Sequence, residues 1–230
     1  DKEGTKGSAV TGAKQQSPDD RPLPADKARF YRSVTMRINY FAADRPDLQF
    51  PGQECARHVS SPTYGAVEKI KKLLRYIATH RRAVQVFYPQ KNVGHFTVNT
   101  DSDHAGCHAT RKSTSGIFLF HGRNLIRSSC TTQGSVTFSS GESEFHAIVK
   151  GASVVLGARA MAKELGYDTA ASEIACDAIA GLGISKRSGV GRIRHLHTPL
   201  LWIQERIKNR ELTVHKVAGK ENVADMGTKY

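Results

Sequence analysis

The sequence predicts an α/β fold: a five-stranded mixed sheet flanked by helices, preceded by a small helical segment and a polar tail. Three observations point there. Phe96 and Val98 alternate with Thr97 and Asn99, the period-two pattern of a half-buried strand, and the run ends at Asp101. Residues 115–120 and 124–128 flank Gly122-Arg123 as the two arms of a hairpin. Strand-like and helix-like stretches then alternate, so three sequential antiparallel strands gain parallel additions through crossover helices.

In chain order, residues 1–26 hold Gly, Ser, Lys, Gln, Pro and Asp and almost no large apolar side chain. They cannot bury enough surface to offset the entropy of ordering, and read as a linker or tail. Residues 27–91 read as a helical unit. Phe30, Tyr31, Val34, Ile38 and Phe41 form one stripe; Pro46 suits the first turn of a second helix, which Pro51-Gly52 would damage. A third helix has Thr63 or Ser61 as its cap and Val67, Ile70, Leu73, Leu74 and Ile77 at helical spacing. Its other face carries Lys69, Lys71, Lys72 and Arg75, either a solvated face or a phosphate contact. Residues 83–88 read as a short strand.

Residues 92–230 form the α/β part. After the first three strands, Ser139-Ser140-Gly141-Glu142 is a capping box, Ser139 capping and Glu142 reaching back. Its helix runs to Leu165, with Gly166 as C-cap and a buried stripe of Phe145, Ile148, Val149, Ala152, Val155 and Leu156. Residues 173–177 are a strand ending in Asp177, followed by a short helix broken by Gly181 and Gly183. A basic loop containing Lys186, Arg187, Arg192, Arg194 and His195 leads to a long helix around residues 200–203. Residues 212–217 are the last strand, and Asn222 begins the last helix.

At 230 residues the chain can bury a proper core. Lys and Arg number 34 against 21 Asp and Glu, a net charge of +13, which calls for a polyanionic partner, nucleic acid before an anionic membrane. No long apolar run or strongly amphipathic basic helix favours a membrane. Cys55, Cys107, Cys130 and Cys176 are widely spaced without a Cys-x-x-Cys, so we expect reduced thiols in an intracellular protein of the cytoplasm or nucleus. The sequence opens on Asp1, and we expect a piece of something longer. His104, Cys107 and His108, like His195 and His197, lack the spacing of a zinc site, and no serine sits in a nucleophile elbow.

The chemistry rests with carboxylates. Singly, each has an ordinary reading: Asp101 and Asp103 as turn residues, Glu144 favouring a helix N-terminus, Asp177 as a cap, Asp225 pairing with Asn222. Yet Asp101, Glu144, Asp177 and Asp225 all lie at strand ends or helix starts of one sheet, which converge in space. Four carboxylates at one point repel unless cations occupy the site. Oxygen ligands suit Mg²⁺, and two ions about 3.5–4 Å apart can hold the attacking and leaving oxygens of a phosphodiester in line.

Four motifs carry a resemblance. Thr100-Asp101-Ser102-Asp103-His104-Ala105-Gly106-Cys107, Thr110-Arg111-Lys112-Ser113-Thr114-Ser115-Gly116, Ser139-Ser140-Gly141-Glu142-Ser143-Glu144-Phe145 and Lys220-Glu221-Asn222-Val223-Ala224-Asp225 together resemble the ribonuclease H domain of copia-type retrotransposon Pol polyproteins. The resemblance covers residues 92–230. Upstream, Tyr31-Arg32-Ser33, Arg45-Pro46-Asp47 and Leu73-Leu74-Arg75-Tyr76-Ile77 resemble the thumb-like tail of the preceding reverse transcriptase.

The resemblance implies a ribonuclease H-like fold and cleavage of the RNA strand of RNA–DNA hybrids with two Mg²⁺ ions, Mn²⁺ being a substitute. It places the metal-binding and catalytic carboxylates at Asp101, Glu144, Asp177 and Asp225, and it is what chooses Asp101 over Asp103 and Glu144 over Glu142. It implies the rest of a Pol polyprotein as partner, and, with the polymerase's paired aspartates absent, no DNA synthesis. Lys186, Arg187, Arg192, Arg194 and His195, with Lys72 and Arg75, are the candidates for holding the nucleic-acid backbone. An alternative is a catalytically inactive nucleic-acid-binding module descended from the same element. The sequence departs from the family at His104, where Trp is usual, and at Ala178-Ile179-Ala180-Gly181, which replaces more polar residues. The loop Val217-Ala218-Gly219-Lys220 lacks the His that cellular ribonucleases H place before the last Asp.

Overall fold

A computed structural model describes residues 19–91, 94–167, 171–191, 193–196 and 198–229. Helices α1 (Ala25–Phe41), α2 (Pro46–Ala56) and α3 (Tyr64–Thr79) come first. They share a core of Tyr31, Ile38, Leu48, Cys55, Ala66, Ile70 and Leu73. In α1 the buried stripe is Ala28, Tyr31, Thr35 and Ile38, whereas Phe30 and Phe41 are exposed. A reading of apolar residues alone passes over Thr35, whose hydroxyl is satisfied by the Tyr31 carbonyl one turn back. Pro51 does not break α2. It is itself buried, beside Leu48, Phe50 and Cys55, and packing outweighs the one missing backbone hydrogen bond. Thr63, not Ser61, caps α3, accepting from Ala66 N. Leu74 of the expected stripe is exposed.

Residues 83–88 form no strand. Their segment is held to the following hairpin by side chains: Gln85 donates to the Leu125 carbonyl, and Asn124 exchanges two hydrogen bonds with the Tyr88 backbone. Alternation is present, but a strand also needs a backbone partner.

The sheet contains β1 (His95–Asp103), β2 (Thr114–His121), β3 (Asn124–Thr132), β4 (Ala171–Cys176) and β5 (Thr213–Lys216), in the order β3-β2-β1-β4-β5. β1, β2 and β3 are antiparallel neighbours; β4 runs parallel to β1, and β5 parallel to β4. This is the five-stranded mixed sheet the sequence predicts. Helix α4 (Ser140–Glu164) is the crossover, and its Phe145, Ile148, Ala152 and Val155 join Val98, Ile117 and Ile174 in the main core. Ser139 caps α4 by accepting from Glu142 N, but Glu142 reaches back to Phe138 N, one residue before the cap.

Helix α5 (Ile179–Lys186) is continuous through Gly181 and Gly183. The long helix expected near residue 200 is a 3₁₀ turn, Thr198–Leu201, followed by the short α6 (Trp202–Lys208). Nor does Asn222 open an α-helix: two 3₁₀ turns, Gly219–Glu221 and Val223–Gly227, close the chain over the sheet. The backbones meet where side chains are absent. A Cβ on Gly116 would lie 2.7 Å from the Ala224 carbonyl, and one on Gly227 would lie 2.9 Å from the Gly116 Cα. Asn222 locks the approach, its amide donating to Thr100 O (3.0 Å) while its oxygen accepts from Ala224 N. Among the described residues no helix is long and apolar enough to cross a membrane.

Candidate active site

Parallel pairing of β1 with β4 sets Thr100 opposite Cys176, the last residue of β4, so Asp101, still in β1, and Asp177, just past β4, come next at the same level. The turn Val223–Gly227, pressed on Gly116, brings Asp225 to the same edge; Gly116 is the β2 partner of Asp101. Carboxylate oxygens of Asp101, Asp177 and Asp225 lie within 4.8 Å of one another. Glu144, in the second turn of α4, joins from the other side through a second group, Glu144, the Cys176 thiol and Asp177, at the same spacing.

The electrostatics are those of crowded like charge. Burial, then Asp101 and Asp177, push the Glu144 carboxyl up to about 8, although a Ser102 backbone hydrogen bond opposes this. Asp101, only 2% exposed, is also raised, chiefly by burial; the Thr228 hydroxyl and Lys229 oppose the rise, while Asp225 and Asp177 add to it. Lys229 supplies the cluster's only ion pairs among the described residues, 2.7 Å from Asp225 Oδ1 and 3.9 Å from Asp101 Oδ2. Burial and Glu144 push the Cys176 thiol up to about 12, so it stays protonated and donates weakly to Glu144 Oε2 at 3.7 Å. The ionised donors are therefore all oxygen, a set that fits a hard divalent cation and not a soft one.

The structure places the members of the two acidic pairs that the sequence alone leaves open in different surroundings. Asp103, two residues beyond Asp101 on the same strand, is turned away from the cluster: it accepts from Thr114 N and faces Arg57. Glu142 is likewise occupied elsewhere, accepting from Phe138 N at 2.9 Å and pairing with His195 Nε2 at 3.0 Å.

The basic candidates divide. Lys72 and Arg75 are exposed on α3, and Lys186 and Arg194 are exposed around the loop after α5. Arg187 folds back into that loop and donates to the Val190 carbonyl. His195 is tied to Glu142, with its ring 4.6 Å from that of Phe138. Both hold the loop together. Arg192 and His197 lie outside the described residues. Sequence reasoning passed over Thr228, whose hydroxyl donates to Asp101 Oδ2, and Lys229. The spacing of Lys229 four residues after Asp225 was the available signal.

No family model matches the chain. An uncharacterised mitochondrial protein of Arabidopsis thaliana is 32% identical over 143 residues, covering 61% of this chain and 54% of that protein. The retrovirus-related Pol polyprotein from transposon TNT 1-94 of Nicotiana tabacum is 28% identical over 202 residues, 86% of this chain and 15% of the polyprotein. That from transposon RE1 of Arabidopsis thaliana is 25% identical over 202 residues, with 86% and 14% covered. Over most of its length the chain is similar to these retrotransposon Pol polyproteins. It spans about half of the mitochondrial relative and a small part of each polyprotein. Among solved structures, a foamy viral protease-reverse transcriptase in complex with dsDNA aligns over 90% of this chain and 40% of the viral chain, with a TM-score of 0.52 and 12% identity. The sheet order of the present chain, β3-β2-β1-β4-β5 with antiparallel and parallel pairs, is that of a ribonuclease H-like fold.

Proposed function

We propose that this chain is the ribonuclease H part of a retroelement's reverse-transcription machinery, a metal-dependent endonuclease that hydrolyses the RNA strand of RNA–DNA hybrids. The observation that carries the reading is the meeting of Asp101, Asp177 and Asp225 within 4.8 Å, where the pairing of β1 with β4 ends, with Glu144 alongside. Kinship with Pol polyproteins supports the setting, and a net charge of +13 supports a polyanionic substrate.

In this reading Asp101, Glu144, Asp177 and Asp225 hold two Mg²⁺ ions, or Mn²⁺ in their place. Bound there, the cations would supply Lewis-acid stabilisation of the charge developing on the attacking and leaving oxygens of the phosphodiester. The chain's own groups do the rest. Asp101 projects from a strand paired on both sides and is oriented by the Thr228 hydroxyl. Glu144 Oε holds a proton at neutral pH in the metal-free protein and releases it when the carboxylate becomes a ligand. Lys186 and Arg194, with Lys72 and Arg75, contact phosphates, while Arg187 and His195 keep the loop in shape. Choice of the RNA strand rests on 2′-hydroxyls across the shallow minor groove. The remainder of a Pol polyprotein is the second partner.

Cleavage of a labelled hybrid in Mg²⁺ tests the reading. Asp101→Asn should abolish cleavage and leave hybrid affinity largely intact. Asp103→Asn should be milder, because Asp103 is bonded to Thr114 N. A wild-type chain that binds hybrid but cleaves it in neither Mg²⁺ nor Mn²⁺ would be the inactive binding module instead.

A further inference from the structure

We infer that Lys229 is a tethered counter-ion of the carboxylate cluster, an ammonium that a divalent cation must displace in order to bind. The inference rests on the reading of the cluster as a metal centre and concerns how access to that centre is regulated. Lys229 Nζ lies 2.7 Å from Asp225 Oδ1 and 3.9 Å from Asp101 Oδ2. An ordinary surface pair four residues apart would involve Asp225 alone. Here the ammonium also faces the strand carboxylate, which is buried and otherwise crowded by Asp177 and Asp225.

The backbone beneath is fixed while the side chain is free to leave. Thr228 N and Lys229 N both donate to the Asp225 carbonyl, at 3.1 and 2.7 Å, and the buried Thr228 donates its hydroxyl to Asp101. The Lys229 side chain is 56% exposed, so its four-carbon stem can swing into water with no backbone movement. The ammonium on Asp225 Oδ1 and an incoming cation compete for the same carboxylate, and their like charges repel at that range, so each disfavours the other. Occupancy by Lys229 also removes part of the negative charge that draws a cation in. Both effects reduce apparent metal affinity by the fraction of time Lys229 is docked. In the metal-free protein the same contact offsets part of the repulsion among the carboxylates.

Titration of the full chain with Mg²⁺ alone, followed by calorimetry and by thermal melting without nucleic acid, tests this on the wild type, Lys229→Met and Lys229→Arg. Lys229→Met should half-saturate at a Mg²⁺ concentration about two- to fivefold lower, the scale of a half-exposed ion pair. It should also melt below the wild type without metal and gain more when metal is added. Lys229→Arg keeps the charge and should stay near the wild type. The Mg²⁺ requirement for hybrid cleavage should fall in parallel in Lys229→Met. Saturation of Lys229→Met at the same or a higher concentration than the wild type overturns the inference while leaving the metal centre standing. If neither the folded wild type nor folded Lys229→Met takes up Mg²⁺, the metal-centre reading fails and the inference falls with it.

Discussion

Glu144 concentrates the conflict at the scale of single residues. Its carboxyl is pushed from 4.5 up to about 8 by burial and by Asp101 and Asp177. In the unfolded chain it ionises near its ordinary value, so between about 4.5 and 8 the unfolded state has given up a proton that the folded state keeps. Metal-free stability is therefore greatest below that window and declines as pH rises through it. Asp101, also raised, contributes with the same sign. Every tenfold change in a protonation equilibrium is worth about 1.4 kcal/mol, which makes the effect of order a few kcal/mol. Glu144→Gln should flatten the dependence of melting temperature on pH and be the more stable protein at pH 8 without metal. Mg²⁺ affinity of the wild type should climb across the same range, since only the ionised carboxylate is a ligand. A wild type whose metal-free melting temperature does not change with pH would remove the basis for this account.

Between elements, the position of Glu144 depends on how closely α5 approaches α4. A Cβ on Gly181 would fall 2.9 Å from Glu144 Cβ and 3.2 Å from Ile148 Cδ1, so α5 can lie against α4 only because Gly181 has no side chain. Gly181→Ala should cost about 1–3 kcal/mol and weaken Mg²⁺ binding by shifting Glu144. Gly183, two residues on, faces open space, and Gly183→Ala should stabilise by about 0.4–1 kcal/mol through the unfolded chain. Denaturant melts of the two variants with and without Mg²⁺ make the comparison; equal effects would show that the close approach does not position the site.

Across the whole molecule, the helical unit and the sheet are joined by buried polar contacts. Arg57 of the loop after α2 pairs with Glu54 at 2.6 Å and donates to the Thr114 hydroxyl at the start of β2. Gln49 and Gln53 of α2 donate to Ser128 and Thr132 along the outer edge of β3. Both partners of the Arg57–Glu54 pair are nearly buried, so Arg57→Met would strand a carboxylate and should cost about 3–5 kcal/mol. Helical and sheet signals should disappear together in one transition; separate transitions in the wild type would refute the coupling. Charge acts at the same scale. Hybrid affinity should fall linearly with salt on a log–log plot, and neutralising both Lys186 and Arg194 should flatten the slope by about one for each phosphate that is no longer neutralised. An unchanged slope would place the polyanion elsewhere.

Much of this protein is legible in local pattern. Strand alternation, the hairpin, the Ser139 cap and the α4 stripe are governed by neighbours within a turn or a strand, and the order of elements then determines a mixed sheet whose ends must meet. Local pattern also brought Asp101, Glu144, Asp177 and Asp225 into consideration. It could not separate Asp101 from Asp103, because both occupy the same face at a strand end. Partners distant in sequence made that choice: Thr114 N and Arg57 claim Asp103, whereas Asp177 and Asp225 face Asp101. The same holds for Glu142, claimed by His195 from 53 residues away. The unbroken α2, the unpaired segment 83–88 and the 3₁₀ turns in place of a last helix depended likewise on what packs against them. Hydrophobic period and capping act over a few residues and are written into the sequence. Burial, repulsion among carboxylates and the docking of Lys229 depend on distances that exist only once the chain has folded.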